Sequence, residues 1–366
     1  MTLTAPNTTP DTSRKQATTV VDADIHPAAL PRHIAPRLAS PWRERYENQG
    51  NRVPAPPLVY PRVRNGGMRR DSWPADGIPG SDLGLVQRQL LDLYSVDHGI
   101  LIPLQAHTFG AEYPEFADAL CHALNEWLVD EWLDREPRLR ASICVPHESP
   151  ELAVREVRRR AGDPRFVQVL LPSGAEAMLG NRKYDPIYAA AVDAGLPVGV
   201  HLGGIENHRS DGWPSFYLEQ HAWYGNSMAL TACDMILEGV FERFPELQVV
   251  LVEGGISWAA PQMWAMDDAA ARLRRDVPWL RREPSEYFRE HFWFTTQPIE
   301  EPEDNVQLLQ ALEHTGMTER IMFASDYPHW DFDSPTMALR SLPKAMRTAM
   351  LGENAHRGYR LEGPAA

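Results

Sequence analysis

Short apolar runs alternate with longer amphipathic segments along most of the chain. The runs are His98–Leu104, Ala141–Pro146, Phe166–Pro172, Pro197–His201, Leu247–Glu253, Phe292–Thr296 and Ile321–Asp326. Between them, apolar residues recur at helical spacing over Glu115–Asp134, Glu151–Ala161, Tyr184–Ala194, Met228–Phe244, Trp258–Arg275 and Asn305–Thr315. Apolar strands separated by helices pair through crossover connections, so the sheet they form is parallel. A further strand signal at Val20–Ile25 opens the series. About eight strand–helix units in one alternation predict an α/β fold, a distorted TIM (β/α)8 barrel with a long insertion after the first strand. An open doubly wound sheet is the alternative.

A barrel concentrates chemistry at the C-terminal ends of its strands. The residues expected there are Asp24 and His26, Gln105 and His107, His147, His201, Glu253, Thr296 and Gln297, and Asp326. The opposite strand ends are plainer, and this asymmetry points to an enzyme without help from any single motif. In the extended stretch Asp22-Ala23-Asp24-Ile25-His26, alternate side chains share one face. The strand Val198–His201 stops at a histidine followed by Gly203 and Gly204, which permit positive φ and close approach of a ligand. Asp326 follows an apolar run, and an aspartate in that place must be exposed, paired or bound to a cation.

In a closed barrel the first and last strands are neighbours, so Asp24, His26 and Asp326 meet at one mouth and His201 joins them. Two imidazoles and two carboxylates suit one divalent metal, Zn2+ first, with Mn2+ or Fe2+ as alternatives. Such an ion lowers the pKa of bound water and polarises a carbonyl or carboxylate. Asp326 is expected to act as ligand, as proton acceptor, or as both in turn. Asp22, one step deeper, is expected to be a structural partner.

The start Asp22-Ala23-Asp24-Ile25-His26-Pro27, the strand end His201-Leu202-Gly203-Gly204 and the ending Ser325-Asp326-Tyr327-Pro328-His329 together resemble the amidohydrolase superfamily. The nearest branch is the amidohydrolase-related group that includes aminocarboxymuconate semialdehyde decarboxylase and the aromatic-acid decarboxylases. The resemblance covers roughly residues 18 to 360. It implies a distorted barrel with one divalent metal, held by Asp24 (where many members have His or Glu), His26, His201 and Asp326. One position departs from the pattern. The decarboxylases carry a catalytic histidine at the end of the sixth strand, and here Glu253 stands in its place before Gly254-Gly255. A carboxylate can accept and return a proton but cannot serve as a cationic partner for a substrate carboxylate.

That substitution ranks metal-dependent hydrolysis first, with metal-activated water attacking a small apolar or aromatic carbonyl or carboxyl substrate. Non-oxidative decarboxylation of an aromatic or enoic acid ranks second. A non-catalytic barrel that only binds a ligand is the reading from a different class. Asp326 and Glu253 are the expected catalytic residues. His329, His107, His221, Trp223 and Trp258 are the expected substrate-binding residues.

Composition narrows the partners. The net charge of −14 leaves no basic stripe to neutralise phosphates or meet an anionic membrane, so a small molecule is expected rather than nucleic acid or lipid. Three scattered cysteines, Cys121, Cys144 and Cys233, fit a reducing cytoplasm. Residues 1–17 are expected to be a disordered tail, and 18–366 one barrel domain including the insertion 27–82. Within that insertion, Trp42, Tyr46, Tyr60 and Trp73 are expected mainly to staple it to the barrel. The family resemblance, rather than any pattern in the residues, implies a homodimer, for which the insertion 27–82 and the end Ala338–Arg360 could supply a contact surface.

Overall fold

The computed structural model describes residues 19–50, 67–204 and 216–362. The expected tail at 1–17 and Tyr60 lie outside the described residues. Eight parallel strands run in sequence order: β1 (Val21–Ile25), β2 (His98–Leu101), β3 (Leu139–Cys144), β4 (Phe166–Gly174), β5 (Val198–Gly204), β6 (Val249–Val252), β7 (Phe292–Thr295) and β8 (Ile321–Met322). Helices on the outside connect them, so the alternation in the sequence is realised as a TIM barrel.

Closure comes from an unexpected register. The ladder between β7 and β8 ends at Met322, short of the expected Asp326. Beyond it the chain turns its hydrogen bonds to the other side. The Ala23 N–H donates to the Phe323 carbonyl (2.9 Å) and the His26 N–H to the Tyr327 carbonyl (2.8 Å). Asp22 reinforces the seam by accepting the Ser325 N–H at 2.9 Å. The segment 323–327 therefore belongs to β1 as much as to β7.

The strands are apolar on both faces because one side packs on helices and the other fills the barrel. Inside the barrel, Gln168 Nε2 donates to Ser142 Oγ at 2.8 Å. Gly199 on β5 makes room for that glutamine, since a Cβ there would lie 2.4 Å from Gln168 Oε1.

Local chemistry accounts for the helices. Pro114–Leu128 begins at a proline, tolerated in the first turn, and buries Phe116, Leu120, Leu124 and Trp127 on one face. Asn305–Thr315 is capped by Asp304, whose side chain accepts the Val306 N–H at 2.9 Å, and ends at Gly316 with φ +67°. Helix Pro284–His291 and the closing helices around Lys344–Tyr359 were not among the expected elements. They are short, and their apolar stripes are too brief to show a period.

The insertion after β1 clamps the mouth rather than standing away from it. Met68 forms an antiparallel bridge with His329, Arg69 N–H donates to Pro328 O at 3.0 Å, and Trp330 N–H to Gly67 O at 2.9 Å. Trp42 packs on Phe116 and Tyr46 on Phe109, as the staple reading expects, whereas Trp73 is half exposed.

A buried polar knot fixes the helices beneath β3. Asn125 Nδ2 donates to the Cys144 carbonyl and to Glu156 Oε1, both at 2.9 Å, and Arg160 Nε donates to the same oxygen at 2.9 Å. Burial pushes the Glu156 carboxyl up, but His122, Arg160 and Asn125 outweigh it and hold it at about 2. The folded value lies below the unfolded one, so its contribution is complete above about pH 4.3 and is lost as pH falls towards 2. Glu156→Ala is expected to cost about 3 kcal/mol in urea denaturation at pH 7. The gap from wild type should narrow as the pH is taken down through that window.

Candidate metal centre

Asp24 and His26 reach the mouth from β1, His201 from β5, Glu253 from the end of β6, and Asp326 and His329 from the stretch after β8. His26 Nε2 lies 2.8 Å from Asp326 Oδ1 and 3.2 Å from Asp24 Oδ1. His201 Nε2 lies 3.6 Å from Asp24 Oδ2 and 3.2 Å from Glu253 Oε2. Coordinating atoms of Asp24, His26 and His201 all fall within 4.8 Å of one another, and so do those of His26, Asp326 and His329. The barrel thus brings together all four expected metal ligands.

Backbone carbonyls orient both imidazoles. His26 Nδ1–H donates to Ile102 O at 2.8 Å, and His201 Nδ1–H to Leu202 O at 2.5 Å. Each ring then turns its Nε2 towards the carboxylates, the nitrogen left to a metal once Nδ1 is committed to a carbonyl. Both Asp24 oxygens and His201 Nε2 are buried without a hydrogen-bond partner among the described residues. Orphaned acceptors of this kind, gathered in one place, are costly unless a cation meets them. The donor set therefore fits one divalent ion.

The electrostatics point the same way. Burial would lower the His26 pKa, but Asp24 and Asp326 overcome it and lift it to about 9. Without a metal, a proton on Nε2 is the cation that this cluster attracts. Burial also pushes Asp326 up, yet His329 and His26 hold its carboxyl well below the usual range. His329 Nδ1 is 2.6 Å from Asp326 Oδ1, and that carboxylate raises the His329 pKa against the effect of burial. Glu253 behaves oppositely: burial, with Asp326 adding to it, drives its pKa well above the carboxylate range. The two carboxyls of one mouth are thus pushed in opposite directions, Asp326 down and Glu253 up.

Both carboxylates sit on strained backbone. Glu253 has φ +62° and Asp326 φ +58°, a left-handed conformation uncommon for residues other than glycine. Such strain clusters at functional sites, where surrounding structure overdetermines it. At Glu253 the restraint includes its N–H, which donates to Thr295 Oγ1 at 3.1 Å. Gly203 and Gly204 adopt φ +128° and +98°, as expected after His201.

The other expected residues divide. His107 Nε2 approaches His201 Nδ1 at 3.3 Å, and burial, then His201, keeps His107 neutral. His221 Nε2 lies 2.7 Å from Asp331 Oδ2, and its ring contacts those of Tyr217, Tyr224 and Trp330. Trp223 is half-buried at the start of helix Tyr224–Leu237. Trp258 braces the turn after Glu253: its Nε1–H donates to Gly254 O at 2.8 Å and its ring packs edge-on against Phe288 and Phe294. Sequence reasoning missed Asp331 and Trp330, which carry no signal beyond loop composition. It also missed the carbonyls of Ile102 and Leu202, which no side-chain pattern reveals.

A family model described as Amidohydrolase matches residues 21–361. The chain belongs to this family. It is an enzyme of the amidohydrolase superfamily, and metal dependence accords with the donor set at its barrel mouth. The chain is 26% identical over 313 residues to gamma-resorcylate decarboxylase of Rhizobium sp. (strain MTP-10005), covering 78% of this chain and 93% of that protein. It is 25% identical over 283 residues to the Polaromonas sp. JS666 protein of the same name, covering 70% and 83%. Among solved structures, a dihydroxybenzoic acid decarboxylase from Polaromonas sp. JS666, holding manganese and 2-nitroresorcinol, superposes with a TM-score of 0.67 at 18% identity, over 94% of this chain and 97% of that one. An amidohydrolase from Mycobacterium avium subsp. paratuberculosis gives a TM-score of 0.71 at 20% identity, over 95% and 100%.

Elemental analysis of the purified wild type is expected to give about one divalent ion per chain. Asp24→Ala should leave less than about a tenth of that. Asp22→Ala should keep the ion yet lose about 2 kcal/mol in stability, because the buried Ser325 N–H loses its acceptor.

Proposed function

We propose that the enzyme is a non-oxidative, metal-dependent decarboxylase of a small aromatic acid, with Asp24, His26, His201 and Asp326 as ligands. The observation that carries this reading is the buried Glu253 carboxyl, 3.2 Å from His201 Nε2 and beside the ligand cluster, where burial and Asp326 raise its pKa. The sequence alone ranks hydrolysis first, because a carboxylate in place of the histidine cannot act as a cationic partner for a substrate carboxylate. His329, 2.6 Å from Asp326 and raised in pKa by it, offers a cationic group at the same mouth, and burial raises the Glu253 pKa so that this carboxyl can hold a proton to give. The curated relatives favour decarboxylation as well.

In this reaction the bond between ring and carboxylate breaks, CO2 leaves, and a proton replaces it on the ring carbon. The bound ion would supply a positive anchor that orients the substrate's oxygen atoms. Glu253 delivers the proton and is reprotonated from solvent. His329, whose pKa Asp326 raises against the effect of burial, can offset negative charge at the mouth. The rings of Tyr217, His221, Tyr224 and Trp330 pack at tilted and edge-on angles into an aromatic wall suited to an aromatic body. Two carboxylate ligands shift the metal preference from Zn2+ towards Mn2+, an oxygen-tolerant ion, and a Polaromonas neighbour holds manganese.

Turnover of a hydroxybenzoate panel in D2O is expected to release CO2 and place one deuterium at the vacated carbon. Incorporation of 18O from labelled water, without CO2, would replace this reading with hydrolysis. Glu253→Gln should keep its metal and lower kcat by at least about 100-fold. Because the acid form is the working one, wild-type activity should fall as pH rises through the elevated Glu253 pKa, and a pH–rate profile of the variant should lack that limb.

A further inference from the structure

The opposite end of the barrel holds a second concave site that the reaction does not use. A cavity of about 470 Å3 opens at the N-terminal face, lined by Arg320, Arg357, Arg360, Trp293, Gln248 and Glu246 among others. Three of these side chains come from the entrances of successive strands. Gln248 precedes β6, Trp293 lies in β7 and Arg320 precedes β8.

The arginines converge without counter-ions. Among the described residues, neither the half-buried Arg320 nor the exposed Arg357 and Arg360 forms an ion pair, whereas Arg37, Arg69, Arg138, Arg160, Arg165 and Arg243 do. Arg320 instead donates to Gln248 Oε1 at 2.9 Å and lies over the Trp293 ring, 4.7 Å from its centroid. Trp293 Nε1–H donates to the same Gln248 oxygen at 2.9 Å, so the guanidinium is held in place by neutral groups. Arg357 Nη2 is spent on the Glu319 carbonyl and Asn354 Oδ1, again not on an ionised partner. Arg360 crosses to the far wall, where a Cβ on Gly195 would lie 3.2 Å from its Nη1. Two carboxylates are near. Glu246 lines the cavity, and Glu290, whose charge reaches Arg320, pairs with Arg282.

Three gathered cations in a chain of net charge −14 repel one another, and the fold tolerates this only where the repulsion is met by solvent or by an anion. Planar guanidinium groups around a concave floor match phosphate and carboxylate oxygens. We propose that this cavity is a binding site for a small polyanion bearing phosphate or carboxylate groups, separate from the catalytic mouth. It does not depend on which reaction the mouth performs.

Calorimetric titration of inorganic phosphate and, separately, of succinate into the metal-loaded full chain tests it. Expected is one saturable site per chain for at least one of them, retained in Asp24→Ala, which lacks the active-site ion. Tighter phosphate binding identifies a phosphate-bearing ligand, and tighter succinate binding a dicarboxylate. The double variant Arg357→Gln, Arg360→Gln should bind about tenfold or more weakly, and Arg360→Gln alone, which leaves the Arg357 hydrogen bonds to Glu319 and Asn354 in place, should melt like wild type in the absence of anion while also binding more weakly. The proposal is overturned by absence of saturable binding of both anions at millimolar concentration. It is equally overturned by affinity unchanged in the double variant, or by binding that disappears in Asp24→Ala.

Discussion

The seam between the first and last strands is the constraint on which the site depends. Two backbone hydrogen bonds, from Ala23 to Phe323 and from His26 to Tyr327, close the barrel, and Asp22 binds across it to Ser325. Because they are made where the β7 ladder has already ended, the segment carrying Asp326 is free to bend over the mouth. Asp326 then takes up a left-handed backbone and meets His26 at 2.8 Å. Residues 300 positions apart in the chain become a contact pair through a seam only a few bonds long.

Once closed, the mouth is a place of deliberate imbalance. Two carboxylates and two imidazole nitrogens face one another with few donors between them, and that leaves Asp24 and His201 Nε2 without partners. A cation relieves the imbalance, and His26 attracts a proton for the same reason. The surrounding shell is by contrast fully determined. The carbonyls of Ile102 and Leu202 set the two rings, and the clamp of Met68 and Arg69 on Pro328 and His329 holds the final loop. Arg69 adds a cation over the Phe332 ring at 4.4 Å, which secures that loop from outside.

Much of this was legible in the chain. Strand–helix alternation is a local signal repeated many times, so the barrel survived the misjudged end of β8. Asp24, His26, His201 and Asp326 were readable because each sits just past an apolar run, where a polar side chain needs a reason. Asp331, Trp330 and the orienting carbonyls were not readable, since they act through contacts between loops with no periodicity. Trp258, expected to bind substrate, packs its indole edge-on against Phe288 and Phe294, contacts that no local pattern reveals.

The sequence by itself determined the architecture, the identity of the ligand-bearing strand ends and the family resemblance, because these rest on patterning and on residue type. Only the tertiary structure decided the state of Glu253. As a residue type it is an anion that would repel an acidic substrate. Buried beside Asp326, it has its pKa pushed well above the carboxylate range. Ionisation depends on solvent access and on nearby charge, and neither exists until the chain has closed around the side chain.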